Sequence, residues 1–334
     1  MTISKHLSDR LKILSLICTF LVVWRHSTNM VAFYQDYRRV PVMVSDIEWT
    51  FSQVTNSAVP IFFMISGFFF LQRSYYGMSS YIAMIRKKTQ TLLIPFLLWN
   101  SIGFFILLAA GENEWPSHPL EFLKGMLYSD YNGVLWYVRN LVIMMVLYPL
   151  YGWIFVADRM WLYMLLIAAL MIWWIPDDCS VISSQGWFFF LLGGIVAKKQ
   201  MLLQGGTTKR ALFVGLIIWL LLCVLHRYVG VVGSKMGILL GIVVLWGMTE
   251  LLSSAIKRRL LSVAVYSFFV YVMHSFVIRT MKVLLAQNFP QNEAVALVAY
   301  FVLPIITFAL LLLMGHYWKR LLPMVYSVCM GGRG

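Results

Sequence analysis

Continuous apolar runs, rather than alternating ones, organise this chain. The stretches 11–31, 50–72, 90–110, 133–156, 159–176, 184–198, 210–228, 234–255, 259–281 and 294–318 are each dominated by aliphatic and aromatic residues. A helix rises about 1.5 Å per residue and the hydrocarbon core is about 30 Å thick, so runs near twenty residues predict membrane-spanning helices. The alternation of a transmembrane β-barrel is missing. The pattern predicts an all-α polytopic membrane protein of about ten transmembrane helices. The sixth run is short and Gly-interrupted (FFFLLGGIVAKK).

The polar segments between the runs alternate in charge. One set carries Lys5, Arg10 and Lys12, then Arg73 and Arg86 to Lys88, then Lys198, Lys199, Lys209 and Arg210, then Lys257 to Arg259, and last Lys319 and Arg320. The other carries Asp36, Asp46, Glu48, Glu112, Glu114, Glu121, Asp130, Asp177 and Asp178. Basic loops stay in the cytoplasm, so both termini are expected there. No linker or soluble domain interrupts 1–334, which reads as a single integral-membrane domain. The longest outer loops, near 32–49 and 111–132, could form short structured lids.

Composition agrees: of 334 residues 61% are hydrophobic and 12% charged, with mean hydropathy +0.79. The net charge of +14 falls beside the spans, where topology and anionic lipid account for it, so no nucleic-acid partner is expected. Cys18, Cys179, Cys223 and Cys329 show no metal-ligand or disulfide spacing. The first run has no cleavage signature and is expected to be retained as a span.

Some polar residues interrupt the apolar runs. His26 follows Arg25 inside the first, and titratable groups there usually face protein or a polar cavity. Counting helix rise from each cytoplasmic end puts His26 and His274 roughly 21 Å into the core. Arg139 and Asn56 run inward from the outer side to a similar level. Two histidines, one arginine and one asparagine from four helices can therefore share a layer. Each also has a plainer role. Arg139 could snorkel to headgroups. Arg25 could do the same or pair with Asn56, and a lone intramembrane histidine often makes only an interhelical hydrogen bond.

Five segments in order carry a resemblance: VVWRHS (22–27), SAVPIFFMISGFFF (57–70), RKKTQTLLIPFLLW (86–99), LWYVRNLVIMMVLYP (135–149) and YSFFVYVMHSFVI (266–278). With them the chain resembles the bacterial membrane acyltransferase 3 family, which O-acetylates sugars and related acceptors. The resemblance implies a multi-pass enzyme of the bacterial cytoplasmic (inner) membrane. It would move an acetyl group from cytoplasmic acetyl-CoA, a co-substrate rather than a resident cofactor, to a hydroxyl of a cell-surface or lipid-linked glycan. No metal is expected. The oligomeric state is left open, a homodimer included.

Histidine suits the chemistry because removing an alcohol proton needs a base of near-neutral pKa. His26 is assigned as general base, with a covalent acyl-histidine relay as the second route. Arg139 or Asn56 would stabilise the oxyanion. Arg86, Lys87, Lys88, Arg258 and Arg259 are candidates for the CoA phosphates, and each is also an ordinary topology signal. Ser66 and Gly67 suit tight packing or a narrow channel. Trp136 and Tyr137 could stack on a sugar or mark the interface, and Arg25 and His274 would line the cavity. The chain departs from the family at Ser15, where many members carry arginine eleven residues before the helix 1 histidine. Lys12, one turn lower on nearly the same face, could supply that cation, whereas Arg10 points to the opposite face. The alternative reading is a non-enzymatic transporter or export component for a glycan or lipid intermediate. Discontinuous helices or an inverted repeat would favour it, and the sequence suggests neither.

Overall fold

The computed structural model describes residues 4–28, 42–73, 75, 77–176, 181–199 and 208–332, and among them there are helices and no strands. The end of the first predicted span at 29–31, Asp36, Asp177, Asp178 and Cys179 lie outside the described residues, as does 32–41 of the predicted outer loop. Two compact units emerge, Met1–Phe62 with Leu202–His316, and Phe63–Met201 with Tyr317–Gly334.

The first unit is built around α1 (Lys5–Ser27), which packs on α2 (Val42–Thr55). Later in the chain come α11 (Lys209–Val224), α12 (Gly230–Leu251), α13 (Ser254–Ala264), α14 (Ser267–Asn288) and α15 (Glu293–Leu321). Of these, α12, α13 and α14 also pack on α1. Ser4 caps α1 by accepting from the Leu7 amide at 3.2 Å, which satisfies one of the orphan donors of a first turn. Leu7, Leu11, Leu14 and Cys18 recur at helical spacing and are buried. At the other end, Trp24 is stacked on Phe51 at 5.7 Å and lies edge-on to Phe301 at 5.9 Å. That aromatic cluster fixes the end of α1 against α2 and α15.

The second unit holds most of α3 (Ala58–Leu71), then α4 (Gly77–Lys88), α5 (Ile94–Ala109), α6 (Pro119–Tyr128), α7 (Trp136–Val146), α8 (Tyr148–Ala157), α9 (Met160–Trp174), α10 (Ser184–Lys199) and α16 (Pro323–Cys329). A π-helical turn, Thr89–Leu93, joins α4 to α5, so that Gly77–Ala109 runs on as 33 residues. In α10 and α3 glycines permit backbone contact. A Cβ at Gly67 would lie 1.8 Å from the Phe190 carbonyl oxygen, and one at Gly193 2.1 Å from that of Met64. The small residues of α3 therefore serve packing here.

Among the described residues five helices are long and apolar enough to cross a membrane: Val42–Leu71, Gly77–Ala109, Gly230–Leu251, Ser267–Asn288 and Glu293–Leu321. Gly133–Val146 with Tyr148–Ala157, bent by 69°, makes a sixth if it is one span. The bend falls just before Pro149 in the first turn of α8, where a residue without an amide proton interrupts the helical ladder. The ten predicted runs exceed this count for physical reasons. α10 and α11 have 16 residues each, roughly 24 Å of rise against about 30 Å of hydrocarbon. α1 is longer but carries Lys5, Asp9, Arg10, Lys12 and Arg25 among its 23 residues.

Three predicted boundaries move. The predicted loop 32–49 is already helical from Val42, so Asp46 and Glu48 sit on α2. The run 50–72 is broken by a turn at Asn56 and Ser57. The run 259–281 is two helices: α13, capped by Ser253 and carrying Lys257 to Arg259 in its first half, ends at Ala264 before α14 starts. The predicted lid 111–132 contains α6, closed by a capping box between His118 and Glu121.

Candidate functional site

Local chemistry at the C-terminal end of α1 builds the candidate site. The last carbonyls of a helix lack intrahelical partners. Here Ser27 Oγ donates to the Trp24 carbonyl at 2.6 Å and Thr28 Oγ1 to the Arg25 carbonyl at 2.6 Å. Ser27 Oγ also reaches the Tyr300 carbonyl of α15 at 3.1 Å. The His26 carbonyl accepts from Lys282 Nζ at 2.8 Å, and the same ammonium donates to the Thr28 carbonyl. Lys282 lies on α14 and is 8% exposed. A buried ammonium needs such oxygen partners, and cations are favoured at helix C-termini. The backbone that carries His26 is thus tied to α14 by one side chain.

The His26 ring meets the ring of His274 edge-on, with centroids 4.9 Å apart. His274 is wholly buried. Its Nδ1 faces the Tyr271 carbonyl at 2.6 Å and the Val270 carbonyl at 3.3 Å. A carbonyl accepts, so this network assigns the proton to Nδ1 and the lone pair to Nε2. His274 Nε2 is buried with no partner among the described residues. On its open side His26 lines a cavity of about 540 Å³ together with Arg25, Thr28, Ser275, Arg279 and Lys282. That volume is in the range of small-molecule sites.

The other residues singled out from sequence fall elsewhere. Asn56 lies within the candidate span Val42–Leu71, at the turn between α2 and α3, and donates from Nδ2 to Gln53 Oε1 at 2.9 Å. Its side chain competes with the helical backbone, which fits it to a break. Lys12 is exposed on α1, 4.0 Å from Asp9. Ser15 is half-buried, and its carbonyl accepts from Thr19 Oγ1 at 2.8 Å. Arg258 and Arg259 are exposed on α13.

In the second unit Arg139 is buried. Its Nη1 donates to the Tyr128 carbonyl at 2.7 Å and the Leu127 carbonyl at 3.3 Å, and its Nη2 approaches the Val181 carbonyl at 3.4 Å. These bonds fasten the end of α6 to α7. Its Nε has no partner among the described residues. Ser66 and Tyr137 share a hydrogen bond of 2.7 Å. Phe63 lies 5.9 Å from Trp136 and 4.7 Å from Tyr137. Arg86 and Lys87 are exposed at the end of α4, and Lys88 Nζ sits 5.6 Å above the Phe70 ring.

Sequence reasoning missed Lys282, Ser275 and Arg279. Lys282 stands one residue beyond the predicted run 259–281. A signal was available: Ser275 and Lys282, seven apart, share a face of one helix, with His274 beside them.

Among the described residues no group of three or more His, Cys, Asp and Glu is placed to hold a metal ion. Neither the curated proteins nor the solved structures give a significant match to the chain. A family model described as an acyltransferase domain matches residues 9–315. That match takes in α1 with His26, α14 with His274 and Lys282, and all the apolar helices up to Gly315 in α15. The apolar helices and the match together make this a multi-pass membrane acyltransferase, and with nearly the whole chain covered it belongs to the acyltransferase 3 family.

Proposed function

We propose that the protein moves an acetyl group from cytoplasmic acetyl-CoA to a hydroxyl of a cell-surface or lipid-linked glycan, with His26 as general base. The observation that carries this reading is the His26 ring, backed by His274 and open to a polar cavity. In the proposed reaction the acceptor hydroxyl oxygen attacks the thioester carbonyl while His26 takes the hydroxyl proton. The new C–O bond forms, the C–S bond breaks, and the departing CoA thiolate is protonated by the imidazolium, which restores His26. The fixed backbone at the end of α1 supports this role, since a base must be held within hydrogen-bond reach of its proton.

The topology we propose for this function has ten spans and cytoplasmic termini. The short helices α9, α10 and α11 and the charged α1 join the five longer spans and the bent pair α7–α8 taken as one span, and the alternation of basic and acidic segments supports the orientation. Arg86 and Lys87 of α4, and separately Arg258 and Arg259 of α13, are exposed and available to CoA phosphates. The exposed ammonium of Lys12 is our candidate for the cation that other family members place at the position of Ser15.

Purified protein given acetyl-CoA and a glycan acceptor should release CoA thiol and yield an O-acetylated product. His26→Ala should lower that rate by about a hundredfold or more, the usual worth of a positioned base. His26→Gln should not rescue it, because an amide holds no titrating proton in this range. More than about a tenth of wild-type rate in either variant, correctly inserted, would assign the base elsewhere.

A further inference from the structure

The cavity beside His26 has an uneven charge. Of the described residues that line it, Arg25, Arg279 and Lys282 are cationic, and none is a carboxylate. Among the described residues neither Arg25 nor Lys282 has a carboxylate within ion-pair distance. Lys282 is turned into α1's terminal carbonyls, and the carboxylate that acts on it, Glu48 of α2, is buried and does not line the cavity. The two guanidinium groups are the planar forks that phosphate and carboxylate groups pair with in bidentate fashion. Thr28 and Ser275 also line the cavity.

We infer that this cavity is an oxyanion-recognition site, and that the molecule acylated at His26 carries a phosphate or carboxylate group. The inference rests on the reading of His26 as the base and adds the acceptor's chemical class. Position favours the acceptor over the donor. The cavity is at the C-terminal end of α1, opposite the end that bears Lys5, Arg10 and Lys12. With cytoplasmic termini that is the outer side. Two other sources offer the same chemistry, the phosphates of CoA and a phospholipid headgroup.

Calorimetric titration of the purified full-length protein in phospholipid-free maltoside micelles separates them. Glucose 1-phosphate and inorganic phosphate should bind at least tenfold more tightly than glucose, and added salt should weaken only the anions. Arg25→Gln and Arg279→Gln should each remove at least fivefold of the anion affinity and leave glucose unchanged. Arg25→Lys should keep part of it, charge without the fork. If a variant does not fold, the wild-type ratio of anion to neutral probe and its salt dependence still decide. Equal binding of glucose and glucose 1-phosphate would overturn the inference. So would displacement of phosphate by CoA but not by pantetheine, which assigns the cavity to the donor, or displacement by stoichiometric phosphatidylglycerol, which assigns it to lipid. Binding is read without turnover, so failure here is distinct from failure of the proposed reaction. Anion preference without thiol release from acetyl-CoA would count against the reaction alone.

Discussion

The two ends of α1 treat their arginines differently. At the N-terminal end Arg10 is satisfied from within the protein. Its guanidinium pairs with Glu250 at 3.0 Å, donates to Thr249 Oγ1 at 3.2 Å and to the Trp246 carbonyl at 3.0 Å, and stacks 3.8 Å from the Trp246 ring. At the C-terminal end Arg25 faces a cavity that it shares with two further cations. A charge whose three nitrogens each find a partner in the fold fastens α1 to α12. Among the described residues Arg25 has no carboxylate within ion-pair distance, and on the inference above its charge serves a bound anion. The sequence places Arg10 in the basic segment before the first apolar run and Arg25 inside that run, but it does not show which of them the fold neutralises.

Alanine at each end gives the largest expected contrast. Arg10→Ala should cost about 2 kcal/mol of stability, several charge-assisted bonds discounted because Glu250 is half-exposed, and should leave turnover per folded molecule unchanged. Arg25→Ala should leave the melting midpoint within about 2 °C and lower turnover at least tenfold. Thermal unfolding and thiol release on the same preparations check both, and reversed results would erase the distinction.

A middle case is Lys282, which is both internally bonded and cavity-lining. Lys282→Met removes two hydrogen bonds to carbonyls at the end of α1 and should cost about 1–3 kcal/mol. As a positioning residue for His26 it should lower kcat about tenfold, with little change in donor KM, and Lys282→Arg should recover part of kcat. A lowered melting midpoint with unchanged kcat would make Lys282 only a fastener.

The smallest effect should come from an exposed, internally neutralised pair in the second unit. Lys199 lies 2.9 Å from Asp158, and Tyr163 donates to the same carboxylate oxygen at 2.9 Å. The Lys199 hydrogen bond, ahead of that from Tyr163, holds the Asp158 carboxyl below its usual range. The folded-state pKa is depressed, so the stabilisation is present above the ordinary carboxylate pKa of about 3.9 and is lost as pH falls through the depressed value. The melting midpoint should decline more steeply below about pH 4 in the wild type than in Asp158→Asn. Equal slopes would mean that solvent screens the pair completely.

The apolar runs were legible because hydrocarbon imposes one requirement on every residue of a span. The break between α13 and α14 was not, because LLSVAVYSFFV reads as unbroken hydrophobicity. The turn at Val265 and Tyr266 separates two helices that each pack on α1. That misplacement put Lys282 outside the predicted span. Depth counting still brought His26 and His274 to one level, although His26 stands near the end of its helix and His274 only about two turns into α14. The turn at Asn56, inside the candidate span Val42–Leu71, was not legible, because a polar residue inside an apolar run looks the same whether it is catalytic or marks a turn. Arg139 was expected at an oxyanion, and its bonds to the Leu127 and Tyr128 carbonyls come from an α6 whose existence the sequence only hinted at.

The backbone contact between α3 and α10 bears on how the protein is made. Gly67 leaves the ribosome about 126 residues before Gly193, the partner glycine whose helix it must touch. At the usual pace of about 5–20 residues per second, α3 waits on the order of ten seconds with its glycine face unpaired in lipid. Membrane helices can insert first and associate later, but during that interval any passing helix with small residues can occupy the same face. A bulkier residue at either glycine would push against the facing backbone and prolong that interval.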